Sequence, residues 1–232
     1  MQRTASPLRD GIARALPIVL GYVPVAFAFG VLAVKNDISP GLAILMSMTL
    51  FAGSGQFVAA SLWGAGVGVA SVVLTVFVVN LRHLLMSASL APYLQSMTRR
   101  QRFFFGYELT DETFGVHAAA FQRGWQLAIP TLYACNVTAH SSWVAGTILG
   151  VFCGGLITDV RPLGLDYALT AMFLALLVPQ CRSRLHVLVA LLAVVLSVGL
   201  KLADVGQWNV IIATVLAATC GAVLSPYGRS AE

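Results

Sequence analysis

The chain has 232 residues, of which 58% are hydrophobic and only 10% charged, and its mean hydropathy is +0.85. A soluble domain carries about 25% charged residues, so 14 Lys and Arg with 9 Asp and Glu are too few to coat a water-facing surface of this size. This argues against a soluble globular enzyme, a disordered chain and a disulfide-stapled secreted domain, and the net charge of +5, placed mostly between apolar runs, reads as membrane orientation rather than nucleic-acid binding.

Residues 1–14 are polar and hold Arg3, Arg9 and Arg14. Ser6 followed by Pro7 makes an N-cap and a first helical residue. Residues 16–34 contain no charge. That run is too long for a signal-peptide core, lacks a small-residue cleavage site and is followed by further apolar runs, so it reads as the first transmembrane helix. Pro17 and Pro24 are its kink positions. Further apolar stretches fall at 41–63, 67–93, 103–121, 127–157, 163–179, 187–202 and 210–224, separated by short loops. None alternates apolar and polar residues as barrel strands do. A spanning helix takes about 20 apolar residues, so roughly six to eight membrane segments are expected. The expected fold is an all-α integral membrane protein, a polytopic helical bundle. Residues 1–232 read as one transmembrane transport domain, with a cytoplasmic amphipathic N-terminus at 1–15 and a short cytoplasmic tail at 226–232. Cys135, Cys153, Cys181 and Cys220 include no CxxC pair and read as small apolar fillers, not as a zinc or redox centre.

Lys and Arg discriminate between two topologies. If every stretch crosses once, Arg3, Arg9, Arg14, Arg123, Arg182, Arg184 and Arg229 share one side. Lys35, Arg99, Arg100, Arg102, Arg161 and Lys201 then share the other, with no bias. If residues 41–93 cross an odd number of times and 103–121 do not fully cross, Arg99, Arg100 and Arg102 change sides and the count, leaving out Arg82 within a stretch, becomes ten against three. The second arrangement is expected, with both termini cytoplasmic. It requires broken or re-entrant helices near 52–57, 80–93 and 103–121.

Three polar constellations interrupt the apolar runs. In Ala52-Gly53-Ser54-Gly55-Gln56-Phe57, two glycines let the backbone leave helical geometry, and Ser54 and Gln56 offer polar groups. A helix broken there presents amide ends suited to a carboxylate, whereas the bland alternative is a tight helix crossing. Asn80, Arg82 and His83 lie deep in the next run. An intramembrane arginine normally faces an interior cavity and a partner, and a short loop at 80–83 is the competing reading. Glu108, Asp111 and Glu112 follow, with His117 loosely on the same side. On one helix both later acids share the face of Glu108. Carboxylates crowded together repel, so one holds a proton more tightly, which is how a proton carrier is made. The alternative is a solvated amphipathic helix on the membrane surface. Gly146, Gly150 and Gly154 recur every four residues and mark a close helix contact, more naturally within the chain than with a partner. His140 and His186 read as structural.

These motifs resemble the AzlC family of bacterial branched-chain amino acid exporters, of the AzlC and YgaZ type. The resemblance rests on AGSGQF at 52–57, NLRHLLMSASLAPYL at 80–94, ELTDETFG at 108–115 and GLDYALTAMFLALL at 164–177, in that order. It covers roughly residues 8–225, and the family pattern often has alanine where Gly55 stands here. It implies export of valine, leucine and isoleucine, extending to methionine, across a bacterial inner membrane, together with a small membrane subunit of the AzlD or YgaH type. The residues fit such a substrate. Gly53, Ser54, Gly55, Gln56, Asn80, Arg82 and His83 are the candidate substrate-binding residues, and Glu108, Asp111, Glu112 and His117 the candidate proton or ion couplers. No cofactor or metal is expected. A channel or transporter for another small zwitterion or organic acid competes with this reading. A membrane-embedded enzyme using Glu108, Asp111 and His117 is a third, but the HExxH order is lacking.

Overall fold

The structure is a computed structural model and describes residues 6–156, 183–203 and 209–224, with isolated positions at 167, 174, 177, 178 and 181. Most of the 163–179 stretch and the 226–232 tail lie outside the described residues. Among those described every regular element is helical: α1 (Pro7–Lys35), α2 (Pro40–Thr49), α3 (Gly53–Gly64), α4 (Val69–Leu90), a 3-10 turn at Ala91–Leu94, α5 (Arg99–Tyr107), α6 (Asp111–Gln122), α7 (Ile129–Gly154), α8 (Arg184–Leu202) and α9 (Asn209–Leu224). Pro7–Lys35, Val69–Leu94 and Arg184–Leu202 are long and apolar enough to cross a membrane. The chain forms two compact units, residues 1–173 and 174–232.

The first unit is built on α1 and α7. α1 starts where the sequence predicts, with Ser6 capping the Arg9 amide and Pro7 in the first turn. Its Asp10 pairs with Arg14 at 2.9 Å. Glycines let the two backbones approach closely. A Cβ on Gly146 would sit 2.7 Å from the Val23 carbonyl, one on Gly150 would collide with the Phe27 carbonyl, and one on Gly30 would sit 2.7 Å from the Val151 amide. The glycine stripe of α7 therefore packs within the chain. The contacts advance in the same sense on both helices, so α1 and α7 run parallel.

The two broken helices are hairpins that enter from opposite ends of this pair. α2 begins just beyond the end of α1, capped by Ser39. α3 returns to that same end, where Gly64 lies against the Asn36 side chain. Between them, residues 50–52 form a tip at mid-depth, with Phe51 and Ala52 buried. Phe51 there has a left-handed φ of 34° and packs edge-on against Tyr22, with ring centroids 6.2 Å apart. α5 and α6 mirror this from the other end. The Gln101 carbonyl accepts from Tyr133 near the start of α7 at 2.6 Å. Beyond α6, Trp125 lies 5.1 Å beneath the Arg14 guanidinium near the start of α1. The tip, residues 108–110, lies at mid-depth beside Tyr22 and His140. Thr98 and Thr110 start α5 and α6 with capping boxes, which is why the break falls immediately before Asp111.

α4 runs back between the two ends, with Asn80 beside Gly55 and Tyr93 stacked on Phe121 at 4.8 Å. The break expected near 80–93 is corrected: α4 is unbroken to Leu90 and tightens only at Ala91–Leu94, where Pro92 cannot continue it. Residues 80–83 are helical, not a loop. Because each hairpin returns to the end where it begins, residues 41–93 traverse the unit once and 103–121 do not traverse it. Arg99, Arg100 and Arg102 thus share the end that holds Arg9, Arg14 and Arg123. In the second unit, Ser183 caps α8 at His186, and Val189 of α8 packs on Gly221 of α9.

Candidate functional site

The hairpin tips meet around Arg82. Gly53 and Ser54 open α3, and no side chain caps its first turn. Asp111 and Glu112 open α6, where negative charge suits the positive end of the helix. Arg82, two turns before the end of α4, bridges the tips. One guanidinium nitrogen donates to Ser54 Oγ and lies 3.0 Å from Asp111 Oδ2. This pair is partly buried, with side chains 28% and 18% exposed. Tyr22, from the middle of α1, donates its hydroxyl to Glu112 Oε2 at 2.5 Å and lies 2.6 Å from the Thr110 hydroxyl. The arrangement places one cation, an uncapped helix N-terminus and two carboxylates in the space of a few side chains.

The other residues singled out in the sequence fall into different settings. Gln56 is fully buried and both ends of its amide are engaged, donating to Ser47 Oγ at 2.8 Å and accepting from Trp143 Nε1 at 2.9 Å. Ser47 in turn meets the Thr147 hydroxyl at 2.7 Å. This network braces the first hairpin against α7. Gly53 and Gly55 are spacers: a Cβ on Gly53 would sit 2.7 Å from the Trp143 ring, and one on Gly55 2.9 Å from the Asn80 amide. Asn80 Oδ1 is buried without a hydrogen-bond partner. His83 follows Arg82 on α4, and no hydrogen bond joins it to the other site residues.

The expected acid cluster is redistributed. Glu108 caps the end of α5 while Asp111 starts α6, so Glu108 does not share a helix face with Asp111 and Glu112. Each carboxylate has its own partner: Glu108 pairs with His140 at 2.8 Å, Asp111 with Arg82 and Glu112 with Tyr22. His117 is separated from them, fully buried and bonded through Nε2 to Asn136 Oδ1 at 2.7 Å. Sequence reasoning missed Tyr22, Trp143 and His140. A tyrosine between two prolines of the first span and an ionisable residue at mid-helix were the available signals.

A helical membrane protein whose two opposed half-helix hairpins meet at a polar centre is the class these features define. Residues 17–157 match the family described as AzlC protein. The chain belongs to the AzlC family. It is 34% identical over 180 residues to an uncharacterized membrane protein of Archaeoglobus fulgidus, covering 76% of this chain and 77% of that one. It is 30% identical over 225 residues to inner membrane protein YgaZ of Escherichia coli, covering 91% and 86% of the two chains. The branched-chain amino acid transport protein AzlC of Bacillus subtilis is 27% identical over 177 residues, covering 74% of this chain and 67% of its own. No solved structure matches the chain.

Proposed function

We propose that this chain exports branched-chain amino acids from the bacterial cytoplasm, as the large subunit of a permease completed by a small membrane subunit of the AzlD or YgaH type. The observation that carries the reading is the charge pattern where the tips meet. Arg82 and the uncapped first turn of α3 complement a carboxylate, and Asp111 and Glu112 complement an ammonium. A zwitterion entering between them exchanges with the Arg82–Asp111 pair, so neither charge is left unpaired at membrane depth. The relative named as a branched-chain amino acid transport protein supports the substrate class. The basic end of the first unit faces the cytoplasm in this reading, placing Lys35 outside.

Proton exchange is sufficient as a drive. Export of a neutral zwitterion against a tenfold gradient costs about 1.4 kcal/mol, and one charge entering through 100 mV supplies roughly 2.3 kcal/mol. The test is efflux from cells lacking their own exporters, loaded with a leucine- or valine-containing dipeptide. Expression with the neighbouring small subunit should accelerate branched-chain efflux, and a protonophore should stop uphill export. Unchanged efflux with both proteins present in the membrane overturns the assignment.

A further inference from the structure

The proposed substrate centre makes no use of His140, in the middle of α7. Its Nδ1 lies 2.8 Å from Glu108 Oε2, its Nε2 lies 3.0 Å from the Ser47 carbonyl, and its face stacks on Phe51 with centroids 4.0 Å apart. Ser47 and Phe51 belong to the first hairpin and Glu108 to the second. One ring therefore joins both tips to α7.

The geometry sets the proton count. A neutral imidazole has a single N–H. The Ser47 carbonyl only accepts, so Nε2 must carry a proton. The contact between Nδ1 and the carboxylate needs another, whichever of the two holds it. With one proton fewer, a nitrogen lone pair faces either the carbonyl or the carboxylate, and one of the two links opens. The pair is reachable: its side chains are 15% and 17% exposed and border an open cleft of about 390 Å³ with Met48, Val137, Ser141 and Ile148. The ionisable groups around His140 are few. From α5 come Glu108 and Tyr107, whose hydroxyl donates to the Thr49 carbonyl at 2.5 Å. From α1 comes Tyr22, packed on Phe51 and bonded to Glu112 of α6. Arg82 of α4 is held by Asp111. α2 and α3 contain no charged residue.

We propose that the Glu108–His140 pair is a proton-binding site whose proton ties the tips of the two opposed hairpins together, and whose departure lets them part as the coupling step of transport. The proposal rests on the transport reading above. The test uses the full chain with its small subunit in proteoliposomes, comparing wild type with His140→Gln, which cannot carry the proton. Counterflow of labelled leucine at equal pH reports passage alone. Accumulation under a gradient of one pH unit reports coupling, and reaches about tenfold for one-to-one exchange. His140→Gln should keep counterflow and lose accumulation. Accumulation as in wild type overturns the proton site and leaves the transport reading standing, whereas a wild type without counterflow overturns the transport reading itself.

A second measurement needs no transport. Ala52 is buried at the first tip, so an Ala52→Cys chain stripped of its 4 native cysteines reports tip opening through maleimide labelling. Normalised to a free thiol, the rate should rise several-fold between roughly pH 5 and 8 with His140 present, and stay constant with His140→Gln. A rate that does not depend on pH with His140 present overturns the latch.

Discussion

Arg82 illustrates how an ionisable side chain is tolerated within an apolar helix. It donates to one hairpin tip and pairs with the other, so its charge is shared out to Ser54 and Asp111. Removing one member of a partly buried pair strands the other, whereas removing both does not. Arg82→Ala and Asp111→Asn should each abolish export. The double variant Arg82→Ala/Asp111→Ala should melt at a higher temperature in detergent than Arg82→Ala alone and remain inactive. Full export by either single variant would return that residue to a packing role. Gln56 gives the opposite prediction. Its amide ties Ser47 to Trp143 in a dry core, so Gln56→Ala leaves partners unsatisfied and should cost about 1–3 kcal/mol of stability. Unchanged stability with lost transport would make Gln56 a substrate ligand.

At the scale of elements, α1 and α7 form the closely packed post against which the hairpins rest. Between helices in a bilayer there is little hydrophobic drive, and close packing through small residues takes its place. The backbones meet at Gly30, Gly146 and Gly150. Gly150→Leu should therefore sharply lower the yield of folded protein from detergent extraction. Gly155→Leu should not, since a Cβ there meets nothing within 4 Å. Equal yields would mean that the post tolerates separation. The hairpins owe their breaks to local chemistry. Glu108 closes α5 and Thr110 caps α6 two residues later, and Phe51 adopts a left-handed φ while buried against Tyr22 and His140.

At the scale of the molecule, each hairpin returns to the end of the first unit from which it starts, which predicts that neither crosses the membrane. Residues on either side of the first hairpin should be labelled from one face of the membrane, and those flanking the second from the other. Impermeant maleimide on intact cells should modify single cysteines at Ser39 and Ala65 and spare those at Ser96 and Gln126. Labelling Ser39 and Ala65 from opposite faces would show that the first hairpin crosses. The large exposed apolar side chains of α4 and α8, such as Phe77, Leu84 and Leu202, suit hydrocarbon contact and are of a kind that water would penalise.

The helical membrane class was legible from composition alone, because too few charges remain to meet water. The start of α1 was legible from Ser6 and Pro7, because capping is local chemistry. The glycine stripe of α7 announced the close packing against α1. The family was readable from motifs whose residue types and order are unusual inside apolar runs. Partnership was not readable. Glu108, Asp111 and Glu112 lie within five positions of sequence, yet the break at Thr110 sends them to His140, Arg82 and Tyr22 on three different helices. His140 looks like filler in its own helix and acquires significance only from Ser47, more than ninety residues earlier. Local patterns decide where helices begin and which faces are apolar. Which carboxylate meets which cation is decided by how the hairpins dock on α1 and α7, and that depends on packing between segments distant in the chain.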